Sequence, residues 1–88
     1  MRAIQSTPAF EKKLVKFLKK NPHLEHKFLT VFRLLERDVH HSSLHTHRLH
    51  GDLAGFFACT VAYDCRLIFS VDTEYIYPVS VGSHTDIY

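Results

Sequence analysis

Apolar residues recur at helical spacing through the first half of the chain and at strand spacing through the second. Phe10, Leu14, Phe17 and Leu18 form one stripe, and Lys12, Lys13, Lys16, Lys19 and Lys20 fill the surface around it, the pattern of a helix with one face on a core. Thr7-Pro8 marks its start, a hydroxyl cap followed by a proline whose missing N–H costs nothing in a first turn. Asn21-Pro22 repeats the signal and opens a second helix. Its stripe of Leu24, Phe28, Val31, Phe32, Leu35 and Val39, flanked by Leu29 and Leu34, is wider and predicts deeper burial. A short strand is expected at residues 2–6.

Strand patterns follow at 55–62, 65–71 and 75–81. Odd positions carry Phe57, Cys59, Val61, Cys65, Leu67, Phe69, Val71, Tyr75, Tyr77, Val79 and Val81, while even positions carry Ala58, Thr60, Ala62, Asp64, Arg66, Ser70 and Ser80. Side chains alternate between the faces of a strand, so the odd face is expected on the helices. Three-residue loops at 62–64 and 72–74 would keep that parity and align Thr60, Arg66 and Ser80 in one row on the open face, with His84 beyond it near Ala62 and Asp64. Phe56, Ile68 and Ile76 also fall on the even side, which predicts an apolar patch covered by a partner. Pro78 cannot donate to a ladder and predicts an edge or a bulge. The fold class expected is α+β in the order β-α-α-β-β-β, an antiparallel sheet packed on one face by a two-helix hairpin.

Size and composition narrow this further. A chain of 88 residues buries only about two-thirds of its unfolded surface and cannot divide one core into two, so residues 1–88 are expected to form one domain. Lysines interrupt every apolar stretch before the roughly 20 residues that a membrane helix needs. Two cysteines and a start of Met1-Arg2-Ala3-Ile4-Gln5 lack both a disulfide framework and a leader, an expectation of a reducing cytoplasmic setting. The formal charge of +2 counts 8 histidines as neutral. With the lysines crowded into residues 12–27 it is a mild polyanion signal, although lysines on a helix ordinarily mark a solvated face.

From Asp38 to Asp52 the periodicity vanishes, and His40, His41, His45, His47 and His50 lie in what reads as a loop. His45-x-His47 and His47-x-x-His50 have imidazoles that suit zinc, nickel or copper, but no cysteine pair or acidic helix completes a tetrahedral set, so no metal and no cofactor is expected. Cys59 and Cys65 read as small core filler on the inner face. There is no serine in a nucleophile elbow and no glycine-rich phosphate loop. Arg66 is the sharpest residue. Either it pairs with Asp64 or Glu74 on a solvated face, or its planar fork binds phosphate while histidines near neutral pH move protons, which is equipment for cutting a phosphodiester.

The spacing Leu44-x-x-His47-x-Leu49-x-Gly51-x-Leu53-x-Gly55, then Asp64-x-Arg66-Leu67-Ile68-Phe69, then Val81-Gly82-Ser83-His84 and Tyr88, resembles the RelE/ParE toxin superfamily of bacterial type II toxin-antitoxin systems, nearest the YafQ-like mRNA interferases. The resemblance covers nearly the whole chain. It implies a ribosome-dependent, metal-independent endoribonuclease, neutralised by a cognate antitoxin, in which the ribose 2′-hydroxyl attacks the adjacent phosphate of mRNA on the ribosome. It implies roles as well: His47 and His84 for proton transfer, Asp64 for orienting a histidine, Arg66 for transition-state charge as in the RelE and YoeB branches, and Tyr88 for stacking or leaving-group contact. Lys12, Lys13, Lys16, Lys19, Lys20, Arg48 and His50 would then meet mRNA or ribosomal RNA. The chain departs from the YafQ-like pattern at Thr60, where those enzymes carry a histidine, and at Cys65, where they carry an aromatic. The alternative in the same superfamily is a ParE-like toxin that inhibits DNA gyrase without cleaving.

Overall fold

Thr7 caps the first helix as its sequence demands, its Oγ1 accepting from the Phe10 N–H at 3.2 Å. The computed structural model describes residues 1–83. Helix α1 runs Pro8–Lys20 and α2 runs Glu25–Arg37, joined by a 3₁₀ turn at Pro22–Leu24. Asn21-Pro22 therefore opens that turn, and α2 proper starts three residues later. Val39 lies past the end of α2 but is still buried.

The strands are β1 Ala3–Ile4, β2 His47–Arg48, β3 Phe57–Ala62, β4 Cys65–Val71 and β5 Tyr75–Gly82, in the sheet order β1-β5-β4-β3-β2. The α+β class and the helical hairpin are as expected. Two details differ: β1 pairs in parallel with β5, which makes the sheet mixed, and the loop before β3 contributes the short antiparallel strand β2. Both are two-residue edge strands held by few ladder bonds, too short to leave a periodic signal. β1 is fixed by backbone bonds on both sides, Arg2 N–H to the Glu36 carbonyl at 2.9 Å and Gln5 N–H to the Ile76 carbonyl at 2.8 Å.

The main core lies between helices and sheet. Phe28, Leu35, Leu44, Leu67, Phe69 and Ile76 are fully buried there, each worth about 1.5–3 kcal/mol of removal from water. Phe17 meets Phe28 edge to face at 6.0 Å.

Parity holds from Phe57 to Thr60 and along β4, where Cys59 faces Leu67 and Thr60 faces Arg66, but the bulge at Val61 turns Ala62, expected on the open face, opposite Cys65 and onto the main core. In β5 it breaks. Phe69 lies opposite Pro78 while the preceding Ile68 lies opposite Ser80, so Val79 is extruded as a bulge beside the proline that cannot donate. The bulge turns Ile76 and Pro78 inward, to full burial, and leaves Tyr75 and Val79 exposed. This reverses the expected inner placement of Tyr75, Tyr77 and Val79 and the outer placement of Ile76. It also puts Gly82, not Ser80, beside Arg66.

The apolar patch expected on the open face is covered by the chain itself. Leu49, Ala58 and Ile68 form a second buried cluster, with Leu53 and Phe56 packed against it. The loop closes through Leu49 N–H to the Phe56 carbonyl at 3.0 Å and a 3₁₀ turn at Gly51–Leu53. Gly51 at φ +66°, the first residue of that turn, and Gly55 at φ +94°, just beyond it, occupy the left-handed region, which is why the loop can fold Leu53 back over the sheet. No partner is needed to bury Ile68.

Candidate active site

The β3–β4 connection is tighter than the expected 62–64 loop. Ala62 already faces Cys65, and the register slips between Thr60 and Ala62, so Tyr63 and Asp64 form a two-residue turn and the bulge at Val61 takes up the extra residue. Arg66 is tied to that turn. Its Nη1 donates to the carbonyls of Ala62 at 3.0 Å, Tyr63 at 3.2 Å and Cys65 at 3.3 Å. All three bonds use one terminal nitrogen, which leaves Nη2 and Nε without a partner among the described residues. Half-buried on the open face, Arg66 is flanked by Thr60 on β3 and Gly82 on β5. Beside it the chain continues through Ser83; His84 and Tyr88 lie outside the described residues.

His47 is exposed on β2 opposite Ala58, and hence on the same open face as Arg66. Its Nδ1 lies 3.1 Å from the His45 carbonyl. A carbonyl only accepts, so Nδ1 carries the hydrogen and Nε2 is the basic nitrogen of the neutral ring. His47 stands two strands and two residues along from Arg66, about 12 Å between Cα atoms at ordinary sheet spacings. Asp64 is exposed in the turn itself.

On the helix side of the same turn a cleft of about 670 Å³ is lined by Lys13, Lys16, Lys20, His23 and Lys27 opposite Tyr63 and Asp64. The Lys13 ammonium also donates to the carbonyl of the bulged Val79 at 3.4 Å. The structure thus divides the lysine run. Lys12 and Lys19 instead border a shallow groove with Pro8, Glu11 and Val15. Arg48 and His50 fall farther away, in a second cleft of about 600 Å³ with Arg2 and His40, where the Arg48 guanidinium lies 5.6 Å from the centre of the Phe57 ring. Because Arg48 pairs with Phe57 and His47 with Ala58, adjacent residues of β2 serve opposite faces.

Lys27, His23 and Tyr63 were not singled out by sequence reasoning. Lys27 and His23 join the cleft because the 3₁₀ turn swings the start of α2 toward the hairpin, a geometry that helical periodicity does not encode. Cys59 and Cys65 are buried thiols, pushed up to about 12 and about 11 mainly by burial. Neither is poised as a nucleophile. Among the described residues no three histidine, cysteine or acidic side chains converge as metal ligands, and no helix is long and apolar enough to cross a membrane.

Similar folds are found among solved toxins. YafQ from E. coli strain BL21(DE3) matches at a TM-score of 0.82 and 20% identity over 100% of this chain and 99% of that one. A chain of the E. coli DinJ-YafQ toxin-antitoxin complex matches at 0.79 and 21%, over 99% and 97%. A chain of the YoeB-YefM toxin-antitoxin complex from Staphylococcus aureus matches at 0.75 and 18%, over 96% and 98%. Curated protein sequences return no match. The family model of YafQ, described as a bacterial toxin of type II toxin-antitoxin systems, matches residues 2–88. With that match spanning nearly every residue, the chain belongs to the YafQ family of type II toxin-antitoxin toxins.

Proposed function

We propose that this toxin is a ribosome-dependent endoribonuclease that cuts mRNA in the cytoplasm and is silenced by a cognate antitoxin. The observation that carries the reading is Arg66: a guanidinium gathered onto the hairpin end, with a basic nitrogen of His47 on the same face and a cleft of lysines behind the turn. In the reaction the 2′-oxygen loses its proton, attacks the adjacent phosphorus and expels the 5′-oxygen, which takes up a proton. The products are a 2′,3′-cyclic phosphate and a 5′-hydroxyl. His47 and His84 move the two protons, Asp64 orients a histidine, and Tyr88 contacts the base or the leaving group. Arg66 meets the charge that builds on the non-bridging oxygens, where a fork of two N–H groups is worth most. No metal is required for these steps. Lys13, Lys16 and Lys20 hold RNA phosphates, with Lys12, Lys19, Arg48 and His50 at more distant ribosomal RNA contacts.

The complexes of E. coli YafQ with DinJ and of staphylococcal YoeB with YefM support an antitoxin partner for this chain. The lysine-lined surface of α1 is complementary to an acidic antitoxin segment. Primer extension on a reporter mRNA after induction tests the reading. New 5′ ends should appear within the open reading frame, disappear when the start codon is removed, and disappear again when the antitoxin is co-expressed. Growth arrest with intact mRNA and altered plasmid supercoiling would instead indicate the gyrase-inhibiting alternative.

A further inference from the structure

Tyr63 is 97% exposed, at the tip of a two-residue turn. Local structure does not ask for it: neither Tyr63 nor Asp64 has a positive φ that would demand a special residue there, and a solvated phenol ring buries nothing. Its surroundings do. The ring stands at the mouth of the cleft lined by Lys13, Lys16, Lys20, His23 and Lys27, and its backbone carbonyl accepts from Arg66 Nη1 at 3.2 Å, so the aromatic is presented from a turn tied to the arginine. An aromatic face rising from a cationic groove is the arrangement that takes single-stranded nucleic acid, with phosphates on the cations and a base on the ring.

We infer that Tyr63 is a base-stacking residue: one nucleobase of the RNA strand lies on its ring while neighbouring phosphates run through the lysine cleft, carrying the strand over the hairpin toward Arg66. This rests on the nuclease reading above and adds a positioning contact to it. A stacking ring tolerates any base, so Tyr63 contributes affinity and alignment with little sequence preference.

The chain contains no tryptophan, so Tyr63→Trp introduces a single fluorescent reporter at the proposed contact. Titration with a 2′-O-methyl RNA dodecamer, which cannot be cut, should quench that emission saturably, and a strand of the same length with abasic positions should not. Tyr63→Ala should raise KM for ribosome-bound mRNA about ten-fold, with Tyr63→Phe close to wild type and kcat changed far less. Equal quenching by the abasic strand, absence of quenching, or wild-type KM in Tyr63→Ala would overturn the assignment. Quenching needs no cleavage. A toxin that quenches on the intact strand yet cuts no message would sink the nuclease reading and leave Tyr63 as an RNA contact.

Discussion

Arg66 makes three hydrogen bonds through one nitrogen, all to carbonyls of the turn it faces. Its side chain thus holds the turn, and in the proposed mechanism it also meets the phosphate; substitutions test that second role. Arg66→Lys keeps the charge but loses the fork, while Arg66→Ala loses both; each should lower kcat for mRNA cleavage, Arg66→Ala by about 10²–10³, the scale for removing one transition-state donor. Near-native circular dichroism in both variants would accompany that loss, and unchanged cleavage by folded Arg66→Ala would remove the residue from the mechanism. The cysteines give a second test at this scale. With Cys59 and Cys65 buried and held as thiols to about 12 and about 11, native protein should resist alkylation at pH 8 and react only on unfolding. Arg66 was legible in the sequence because an isolated arginine among Cys65, Leu67, Ile68 and Phe69 has only the open face to occupy. Tyr63 was not, since a two-residue turn and a three-residue loop differ by one bulge that no side chain announces.

Elements follow the same logic. Parity from Phe57 to Thr60 and from Cys65 to Val71 could be read directly; it failed at Ala62, just past the Val61 bulge, and in β5, where Val79 bulges beside Pro78 and reverses every residue before it. Pro78 signalled an irregularity without saying where the extra residue would go. The loop was expected to end at Asp52 and a strand to begin at 55, and periodicity did not show that Leu49, Leu53 and Phe56 together cap Ile68. Leu49→Ala should cost about 2–3 kcal/mol in urea unfolding by opening that cap, and a neutral result would show that the loop does not seal the sheet. The β4–β5 turn has its own lock. Asp72 accepts from the Glu74 and Tyr75 N–H groups at 2.8 and 2.7 Å and from the Tyr77 hydroxyl at 2.7 Å. These bonds, the Tyr77 one foremost, lower its pKa below the ordinary carboxylate value. A carboxylate lowered on folding stabilises above its unfolded pKa and loses that contribution as pH falls through the folded one. Wild type should therefore exceed Asp72→Ala in stability at neutral pH, with the gap shrinking on acidification; a gap that stays constant from pH 7 to pH 2 would contradict this.

At the scale of the whole molecule, the hairpin tip is a ridge between two chemistries, the lysine cleft on the helix side and Arg66 on the open face. Helical periodicity revealed the lysines but not their division, because which of them meet the hairpin depends on how the 3₁₀ turn at Pro22–Leu24 sets α2 against the sheet. Arg48, carried to the opposite face by the alternation of β2, and His50, in the loop beyond that strand, line a different cleft. Among the described residues, what remains near Arg66 is a sparse set of groups on an open surface. In the proposed mechanism such a set holds charge and moves protons but has few means to align a flexible RNA, and alignment supplied by a ribosome would be an effect large enough to decide activity. The direct measurement is cleavage of one mRNA by purified toxin, naked and on a translating ribosome, at matched concentrations. Cutting of the ribosome-bound message about a hundred-fold faster is the expected result; equal rates on the two forms, or no cutting of either, would contradict the account.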